Sequence, residues 1–289
     1  MDMPDGFYSA LQLLSPKLQD ALLHLSRAQQ LLAEEIRLRA GQSPSVLFPN
    51  GERVLYESAI TNAELLDVLE RASCGSMHAV TDQLRSGFLS ARGGVRVGVC
   101  GTAVCDGTIQ CLREISSVAI RIPRQNKTVG REIIPQLLDR SILIVSPPGG
   151  GKTTLLRELV RTASDSGRRV SLCDERGEIA ACHCGVPQFD VGRCTDVLSA
   201  APKAEAAALL LRAMNPQIIA MDEVSTPRDA DVIRQILGCG VQIFATAHAR
   251  DALDLRARPI YREILGLAAF DALVCISGRG ERKYTVESL

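Results

Sequence analysis

Two kinds of hydrophobic pattern divide the chain near residue 126. In the first part, leucines recur at helical intervals over residues 8–33 and give way to an alternating pattern that begins near Glu35. Further alternating runs at 95–99 and 118–122 predict antiparallel strands joined by glycine-rich turns. Residues 1–126 are therefore predicted to form a small α+β domain.

Turn and capping signals add detail to this first domain. Asn50-Gly51 lies between two short apolar runs and predicts a hairpin. Thr61 followed by Glu64 is a capping box, so a helix is expected to begin there and to continue through Ala72. A second short helix is predicted at 77–84. The polar stretch 123–127, which begins with proline, is the predicted linker.

Residues 127–289 show short apolar runs alternating with helical patterns. Runs without polar alternation are typical of strands that are covered on both faces. Strands are predicted at 142–145, 170–173, 217–221, 241–248, 272–276 and 283–286, and helices at 204–214 and 229–237. This order predicts an α/β domain with a parallel sheet and helices on both faces. Ligands bind such sheets at the C-terminal ends of the strands.

A glycine-rich turn joins the strand at 142–145 to a helix. It reads Ser146-Pro-Pro148-Gly149-Gly150-Gly151-Lys152-Thr153-Thr154, and leucines at helical spacing follow it. Strand, glycine-rich loop and helix in this order are the context of a P-loop, whose backbone N–H groups hold phosphate at the positive end of the helix. We expect this loop to bind the phosphates of ATP, with Lys152 reaching the β- and γ-phosphates and Thr153 completing the Mg²⁺ shell.

The loop departs from the G-x-x-x-x-G-K-[ST] pattern in one place, because its first glycine is replaced by Ser146. Two prolines already stiffen the turn, so the departure is expected to be tolerated. The alternative is a glycine-rich turn without a ligand. The flanking strand and helix favour the P-loop.

Carboxylates and a histidine follow two later strands. Asp222 and Glu223 end an apolar run and are interpreted as a Walker B pair, in which Asp222 holds Mg²⁺ and Glu223 orients and deprotonates the attacking water. An acidic helix cap is the alternative. His248 at the next strand end is expected to sense the γ-phosphate, unless it is structural. The charged stretch 174–178 is either a solvated loop or an acidic part of the same site.

Composition and charge argue against two classes of partner. The 289 residues carry 33 Lys+Arg and 33 Asp+Glu, with 3% aromatics and no tryptophan. The chain therefore lacks the excess of basic residues and the aromatic side chains that are typical of nucleic-acid-binding surfaces. No apolar run approaches the ~18–20 residues that span a bilayer, and the N-terminus has no signal-peptide pattern. A cytoplasmic protein without direct membrane insertion is therefore expected.

Cysteines are frequent, with ten in the chain. Seven are scattered and are interpreted as small buried hydrophobes with reduced thiols. Cys182, His183 and Cys184, with Cys194 nearby, form the single cluster in the sequence. A metal site there is the less favoured interpretation, because a second well-spaced ligand pair is missing.

Several stretches together resemble the stage III sporulation AA family of P-loop ATPases, which is similar to the secretion ATPases of type II and type IV systems. The resemblance rests on 34–39, 93–98, 120–122, 146–157, 174–179, 196–198, 202–205, 212–216 and 222–223. Asp-Glu-Arg-x-Glu-Ile at 174–179 and Pro-Lys-Ala-Glu at 202–205 are more specific than the Walker motifs. The chain departs from the family pattern at Cys194, where the family has arginine, and at Ser225, where it has glycine.

The resemblance implies a RecA-like P-loop ATPase domain at 127–289 behind the N-terminal domain, with ATP and Mg²⁺ as cofactors. It also implies a homo-oligomeric ring, such as a hexamer, with nucleotide between subunits and an arginine supplied in trans. Arg96 and Arg121 are the candidates for that arginine, and solvated surface arginine is the alternative for each. The protein would then be the motor of a sporulation channel, recruited to the mother-cell membrane by membrane-anchored channel proteins.

Two other functions stay open from sequence. One is a nucleotide-dependent ATPase that binds single-stranded nucleic acid, against which neutral charge and scarce aromatics count. The other is a nucleotide switch that scaffolds partners without hydrolysis. Glu223 counts against the switch, because binding alone requires no catalytic base.

Overall fold

Two separate sheets organise the chain, one in each of two units. The computed structural model describes residues 5–75, 84–85, 87–124, 129–278 and 282–289. The first unit contains the chain up to Arg124 together with Ala181–Gln188, and the second contains Gln125–Ala180 and Phe189–Leu289. The predicted boundary after residue 126 lies within 125–128, outside the described residues. The short return of Ala181–Gln188 to the first unit was not anticipated from sequence.

The first unit is built on a six-stranded antiparallel sheet in the order β3-β2-β1-β6-β5-β4. Its strands are β1 Glu35–Arg39, β2 Ser45–Phe48, β3 Gly51–Val54, β4 Phe88–Ser90, β5 Arg96–Asp106 and β6 Thr108–Arg121. Its described helices are α1 Asp5–Leu11, α2 Pro16–Leu23, α3 Arg27–Leu32 and α4 Asn62–Ala72, with a 3₁₀ turn at Arg92–Gly94. The helix predicted at 77–84 lies almost entirely outside the described residues.

The leucine-rich segment at the start forms three short helices rather than one. Pro16 occupies the first turn of α2, where its missing N–H costs nothing. Ser26 begins α3 with a capping box to Gln29. The buried leucines Leu14, Leu18 and Leu22 still face one core, together with alternate residues of β1, β5 and β6.

The second unit contains a seven-stranded sheet in the order β13-β12-β7-β11-β10-β8-β9, parallel except between β12 and β13. Its strands are β7 Ile142–Ser146, β8 Val170–Asp174, β9 Thr195–Ser199, β10 Ile218–Met221, β11 Gln242–His248, β12 Ala272–Ser277 and β13 Lys283–Ser288. Its described helices are α5 Ile134–Leu137, α6 Lys152–Asp165, α7 Lys203–Ala213, α8 Pro227–Gly238, α9 Ala252–Ala257 and α10 Pro259–Gly266.

Both faces of this sheet are covered, which explains the loss of alternation in the sequence. Leu143, Ile219 and Ala245 belong to one buried cluster with residues of α7, α8 and α10. Their neighbours along the strands, such as Ile144 and Phe244, are equally buried but point to the opposite face. There α6 packs against β7, β8 and β11. Strand β9 and helices α9 and α10 were not predicted, and every residue of β9 is half-buried, as expected of an edge strand.

Most of the cysteines are not the buried hydrophobes that we expected. Only Cys173 is buried among the ten, and all ten are free thiols. Cys100 and Cys105 lie on the distal half of the β5–β6 hairpin, over 100–113, where no residue is buried. Among the described residues, no helix is both long and apolar enough to cross a membrane.

Gly192 marks a close approach of the backbone to the end of α6. Its φ is +86°, and a Cβ there would lie 2.5 Å from the Cβ of Ser164 and 2.8 Å from the carbonyl oxygen of Arg161. Gly167 has a similar φ of +95°, yet nothing would lie within 4 Å of its Cβ. Both positions require a positive φ, but only Gly192 lacks space for a Cβ.

We therefore predict that Gly192→Ala lowers the free energy of unfolding by about 1–3 kcal/mol more than Gly167→Ala, the usual cost of overpacking. Urea denaturation of the two variants and the parent measures this difference. Equal losses of unfolding free energy in the two variants would show that the residues around Ser164 rearrange to accept a methyl group.

Candidate nucleotide-binding site

A buried strand, a glycine-rich loop and a helix form the centre of the site. Strand β7 is buried at every position, and α6 begins at Lys152 directly after the loop. Gly149 and Gly151 have φ values of +74° and +98°, which residues with a Cβ rarely adopt. No side chain caps α6, so its first N–H groups are available to an anion.

The structure explains how the loop accommodates Ser146. The Ser146 hydroxyl donates to the carbonyl oxygen of Pro147 at 2.9 Å. A Cβ on Gly150 would overlap the Ser146 side chain and lie 3.0 Å from the same carbonyl oxygen. The serine that replaces the first glycine of the pattern therefore leaves no space for a Cβ at position 150.

Lys152 extends back over the loop that precedes it and is buried. Its Nζ contacts the carbonyl oxygen of Ser146 at 3.1 Å and Nδ1 of His248 at 2.9 Å. Burial lowers the pKa of Lys152, although the Asp222 and Glu223 carboxylates act to raise it. The lysine is thus held among weak acceptors, and an anion could draw it away from them.

Asp222 lies against two hydroxyl groups. Thr153 Oγ1 donates to Asp222 Oδ2 at 2.9 Å, and Thr246 Oγ1 donates to Asp222 Oδ1. Thr153 lies in the first turn of α6, Asp222 directly follows β10, and Thr246 lies near the end of the neighbouring parallel strand β11. Hydroxyl and carboxylate oxygens are hard ligands of the kind that Mg²⁺ prefers.

The Glu223 side chain joins His248 to an arginine. Its Oε1 lies 2.6 Å from Nε2 of His248, and its Oε2 lies 2.7 Å from Nη1 of Arg176. Because Lys152 donates to Nδ1 of His248, Nε2 carries the ring proton and donates it to Glu223. Burial acts to raise the pKa of Glu223, but the hydrogen bond from His248 and the charges of Arg176 and Lys152 outweigh burial and lower that pKa.

The backbone of Glu223 is held in an uncommon conformation. Its φ is +53°, in the left-handed region. The Glu223 N–H donates to Thr246 Oγ1 at 2.9 Å, and Lys203 Nζ donates to the Glu223 carbonyl oxygen at 2.8 Å. These two bonds hold the backbone of Glu223 in that conformation.

The charged stretch 174–178 begins with a buried carboxylate, whereas Glu175 and Arg176 within it are exposed. Asp174 is buried, and its two oxygens accept backbone N–H groups of residues 178, 179 and 180 at 2.8–3.1 Å. Burial raises the pKa of Asp174, and these hydrogen bonds oppose that shift. Arg157 of α6 donates to the carbonyl oxygens of Ile179 and Glu178, each at 2.6 Å. The backbone of the loop is therefore fixed.

A cavity of about 720 Å³ opens beside the glycine-rich loop. It is lined by Pro147–Gly150, Ile276–Gly278, Arg250 and Arg282. A Cβ on Gly151 would lie 2.6 Å from Cζ of Arg282, so that guanidinium rests on the loop. The volume falls within the range of small-molecule sites.

The structure thus brings together most of the residues that the sequence indicated for this site. Lys152, Thr153, Asp222, Glu223 and His248 meet, while Pro148 is exposed in the loop and Thr154 is half-buried on α6. Sequence reasoning missed Arg157, Arg176, Lys203, Thr246, Arg250 and Arg282. Two of these could have been found from sequence, because Arg176 lies within the charged stretch 174–178 and Thr246 lies two positions before His248.

Arg96 and Arg121 belong to the first unit, where they occupy partnered positions on β5 and β6. The Arg96 guanidinium lies 3.6 Å from the centre of the Phe88 ring, and Arg121 pairs with Glu35 at 3.4 Å. The side chain of Arg121 is 63% exposed. The two arginines therefore share one outward side of that sheet.

Cys182, His183 and Cys184 also belong to the first unit, whereas Cys194 lies in the second. His183 Nδ1 contacts the carbonyl oxygen of Ser90 at 3.0 Å, and its Nε2 lies 3.3 Å from Sγ of Cys74. Within the described ranges, no group of three or more His, Cys, Asp or Glu side chains is placed to hold a metal ion.

Solved structures share this fold at low sequence identity. The pilus retraction motor PilT, solved with bound ADP, superposes with a TM-score of 0.64 and 17% identity over 93% of this chain and 82% of that one. The ATPase DotB of Legionella pneumophila superposes with a TM-score of 0.60 and 17% identity, over 94% of this chain and 80% of that one. The predicted fold, a RecA-like α/β domain preceded by a smaller α+β domain, is confirmed.

Sequence comparison identifies the family. The chain is 34% identical over 275 residues to the stage III sporulation protein AA of Bacillus subtilis (strain 168), which covers 92% of this chain and 89% of that protein. Residues 8–286 match the family model described as "Sporulation stage III, protein AA". This protein therefore belongs to the sporulation stage III protein AA family.

Proposed function

We propose that this protein binds ATP with Mg²⁺ and hydrolyses it. The observation that carries the proposal is the meeting of Lys152, the Thr153–Asp222 pair and the Glu223–His248 pair around one glycine-rich loop. A buried cation, hard oxygen ligands and a carboxylate acceptor are the groups that phosphoryl transfer to water requires.

Each group has a distinct task in this proposal. Pro148 shapes the loop, and the backbone N–H groups of residues 149–154 hold the phosphates. Lys152 leaves His248 for the β- and γ-phosphate oxygens. Thr153 and Asp222 would hold Mg²⁺, which neutralises charge on those phosphates when it is bound. The chain thereby positions the terminal phosphoryl group without covalent chemistry of its own.

Glu223 is the proposed base. It orients a water molecule whose oxygen attacks the terminal phosphorus, and its carboxylate accepts the proton of that water as the bond to ADP breaks. His248 lies between Lys152 and Glu223, so its hydrogen bonds depend on whether a phosphate has taken the lysine. This arrangement supports His248 as a sensor of the γ-phosphate.

We further propose that hydrolysis drives a homo-oligomeric ring serving as the motor of a sporulation channel. Family membership supports the sporulation role, and the fold shared with PilT and DotB supports a motor ATPase. Arg96 and Arg121 would complete the nucleotide site of a neighbouring subunit. Membrane-anchored channel proteins would recruit the ring to the cytoplasmic side of the mother-cell membrane.

The first test separates nucleotide binding from hydrolysis. Lys152→Ala should abolish ATP binding, because it removes the cation from the phosphate site. Glu223→Gln should retain binding while turnover falls about 10²–10⁴-fold, the usual contribution of a general base. Glu263→Gln is the matched control, since Glu263 pairs with Arg234 on the surface. If Glu223→Gln turns over ATP as fast as the parent, Glu223 is not the base.

The second test addresses the ring. Subunits carrying Arg96→Ala and Arg121→Ala, mixed with Glu223→Gln subunits, should regain activity, because each kind supplies the group that the other lacks. An arginine acting in trans contributes about 10³–10⁵ in rate where it operates. Turnover across mixing ratios, with the mass of the assembly in the presence of ATP, measures this. No recovery at any ratio from a protein that stays monomeric would contradict the ring.

The third test addresses recruitment to the membrane. The described part of the chain contains no membrane-spanning helix, and basic residues such as Arg168-Arg169 form no polybasic cluster. Purified protein should therefore float with anionic liposomes only when a membrane-anchored partner is present in them. Strong flotation of the protein alone would show direct membrane binding instead.

A further inference from the structure

Arg176 occupies a place in the site that neither Walker motif accounts for. It reaches Glu223 from the loop that follows β8 and binds one of the two carboxylate oxygens. We infer that Arg176 changes partner when a nucleoside triphosphate binds, leaving Glu223 for the terminal phosphate. This inference rests on the proposed function of the site and concerns how that site distinguishes a triphosphate from a diphosphate.

The pairing with Arg176 holds Glu223 in a state unsuited to catalysis. Oε2 is occupied by the guanidinium at 2.7 Å and Oε1 by His248 at 2.6 Å. A carboxylate with both oxygens engaged by donors is a weak proton acceptor. Departure of Arg176 would free Oε2 for the attacking water, while His248 kept the carboxylate in place.

The same set of contacts extends to the phosphate-binding lysine. Arg176, Glu223, His248 and Lys152 form a continuous chain that ends at the carbonyl oxygen of Ser146. A phosphate that draws Lys152 from His248 therefore breaks one end of the chain. The other end of the chain is Arg176. Because Arg176 contacts Glu223, the proposed base, it would lie near the terminal phosphate that the activated water attacks.

Arg176 is also far more exposed than Lys203 and Arg157, two other cations that contact this loop. Its side chain is 65% exposed, and the backbone beneath it is fixed by Asp174 and Arg157. Lys203 is committed to the Glu223 carbonyl oxygen, and Arg157 to carbonyl oxygens of the loop. A guanidinium binds phosphate oxygens in a bidentate manner, and a dianionic terminal phosphate competes well against one carboxylate.

Equilibrium binding of the triphosphate analogue AMP-PNP and of ADP, each with Mg²⁺, tests the exchange. Arg176→Gln should weaken AMP-PNP binding about 10- to 100-fold, the value of one charge-assisted contact, and leave ADP binding within about twofold. Arg176→Lys should restore part of the loss. Arg234→Gln is the matched control, because Arg234 also pairs with carboxylates and its side chain is 45% exposed.

A second measurement detects the competition for Arg176. Glu223→Gln removes the carboxylate that holds the arginine, so it should bind AMP-PNP several-fold more tightly than the parent. That gain should vanish in the double variant Arg176→Gln/Glu223→Gln. A purely structural role for Arg176 would not couple the two substitutions in this way.

The outcomes distinguish this inference from the proposed function. If Arg176→Gln binds both nucleotides like the parent, or loses both equally, while Lys152→Ala binds neither, the exchange is refuted and the ATP site stands. If the parent protein binds neither nucleotide with Mg²⁺, the proposed function fails and the exchange fails with it.

Discussion

The second unit depends on a sheet that is buried on both faces. Ile144, Ala220 and Phe244 are buried, and so are the residues next to them on each strand, which point to the opposite face. The middle of these strands therefore has little room for polar side chains. Charged and hydroxyl groups therefore collect where the strands end. Parallel strands present their C-terminal ends at one edge, and that edge receives Asp222, Glu223 and His248 together.

A buried cation sets the electrostatics of that edge. Burying Lys152 costs free energy, which is why burial lowers its pKa. The nearby carboxylates offset part of this cost without forming a direct ion pair with the lysine at rest. An anionic ligand would supply the missing countercharge, so a site built around an underpaired lysine favours phosphate over an uncharged ligand.

The loop after β8 shows a different use of buried charge. Asp174 and Arg157 bind backbone N–H and carbonyl groups rather than a ligand, and they satisfy a segment that enters neither helix nor strand. These contacts leave Arg176 as a largely exposed side chain on a fixed backbone, and the chain then returns to the first unit over Ala181–Gln188.

Sequence alone determined the α/β class, nearly every strand of the second unit and most members of the candidate site, because these follow from local periodicity and from a contiguous loop motif. It also identified the capping box at Thr61, which depends on residues three positions apart. Tertiary structure alone decided that Asp174 stabilises a loop, that Gly150 must accommodate Ser146, and that Arg176 meets Glu223. Those outcomes depend on which distant segments become neighbours, and side-chain contacts between residues 47 positions apart leave no periodic trace in the chain.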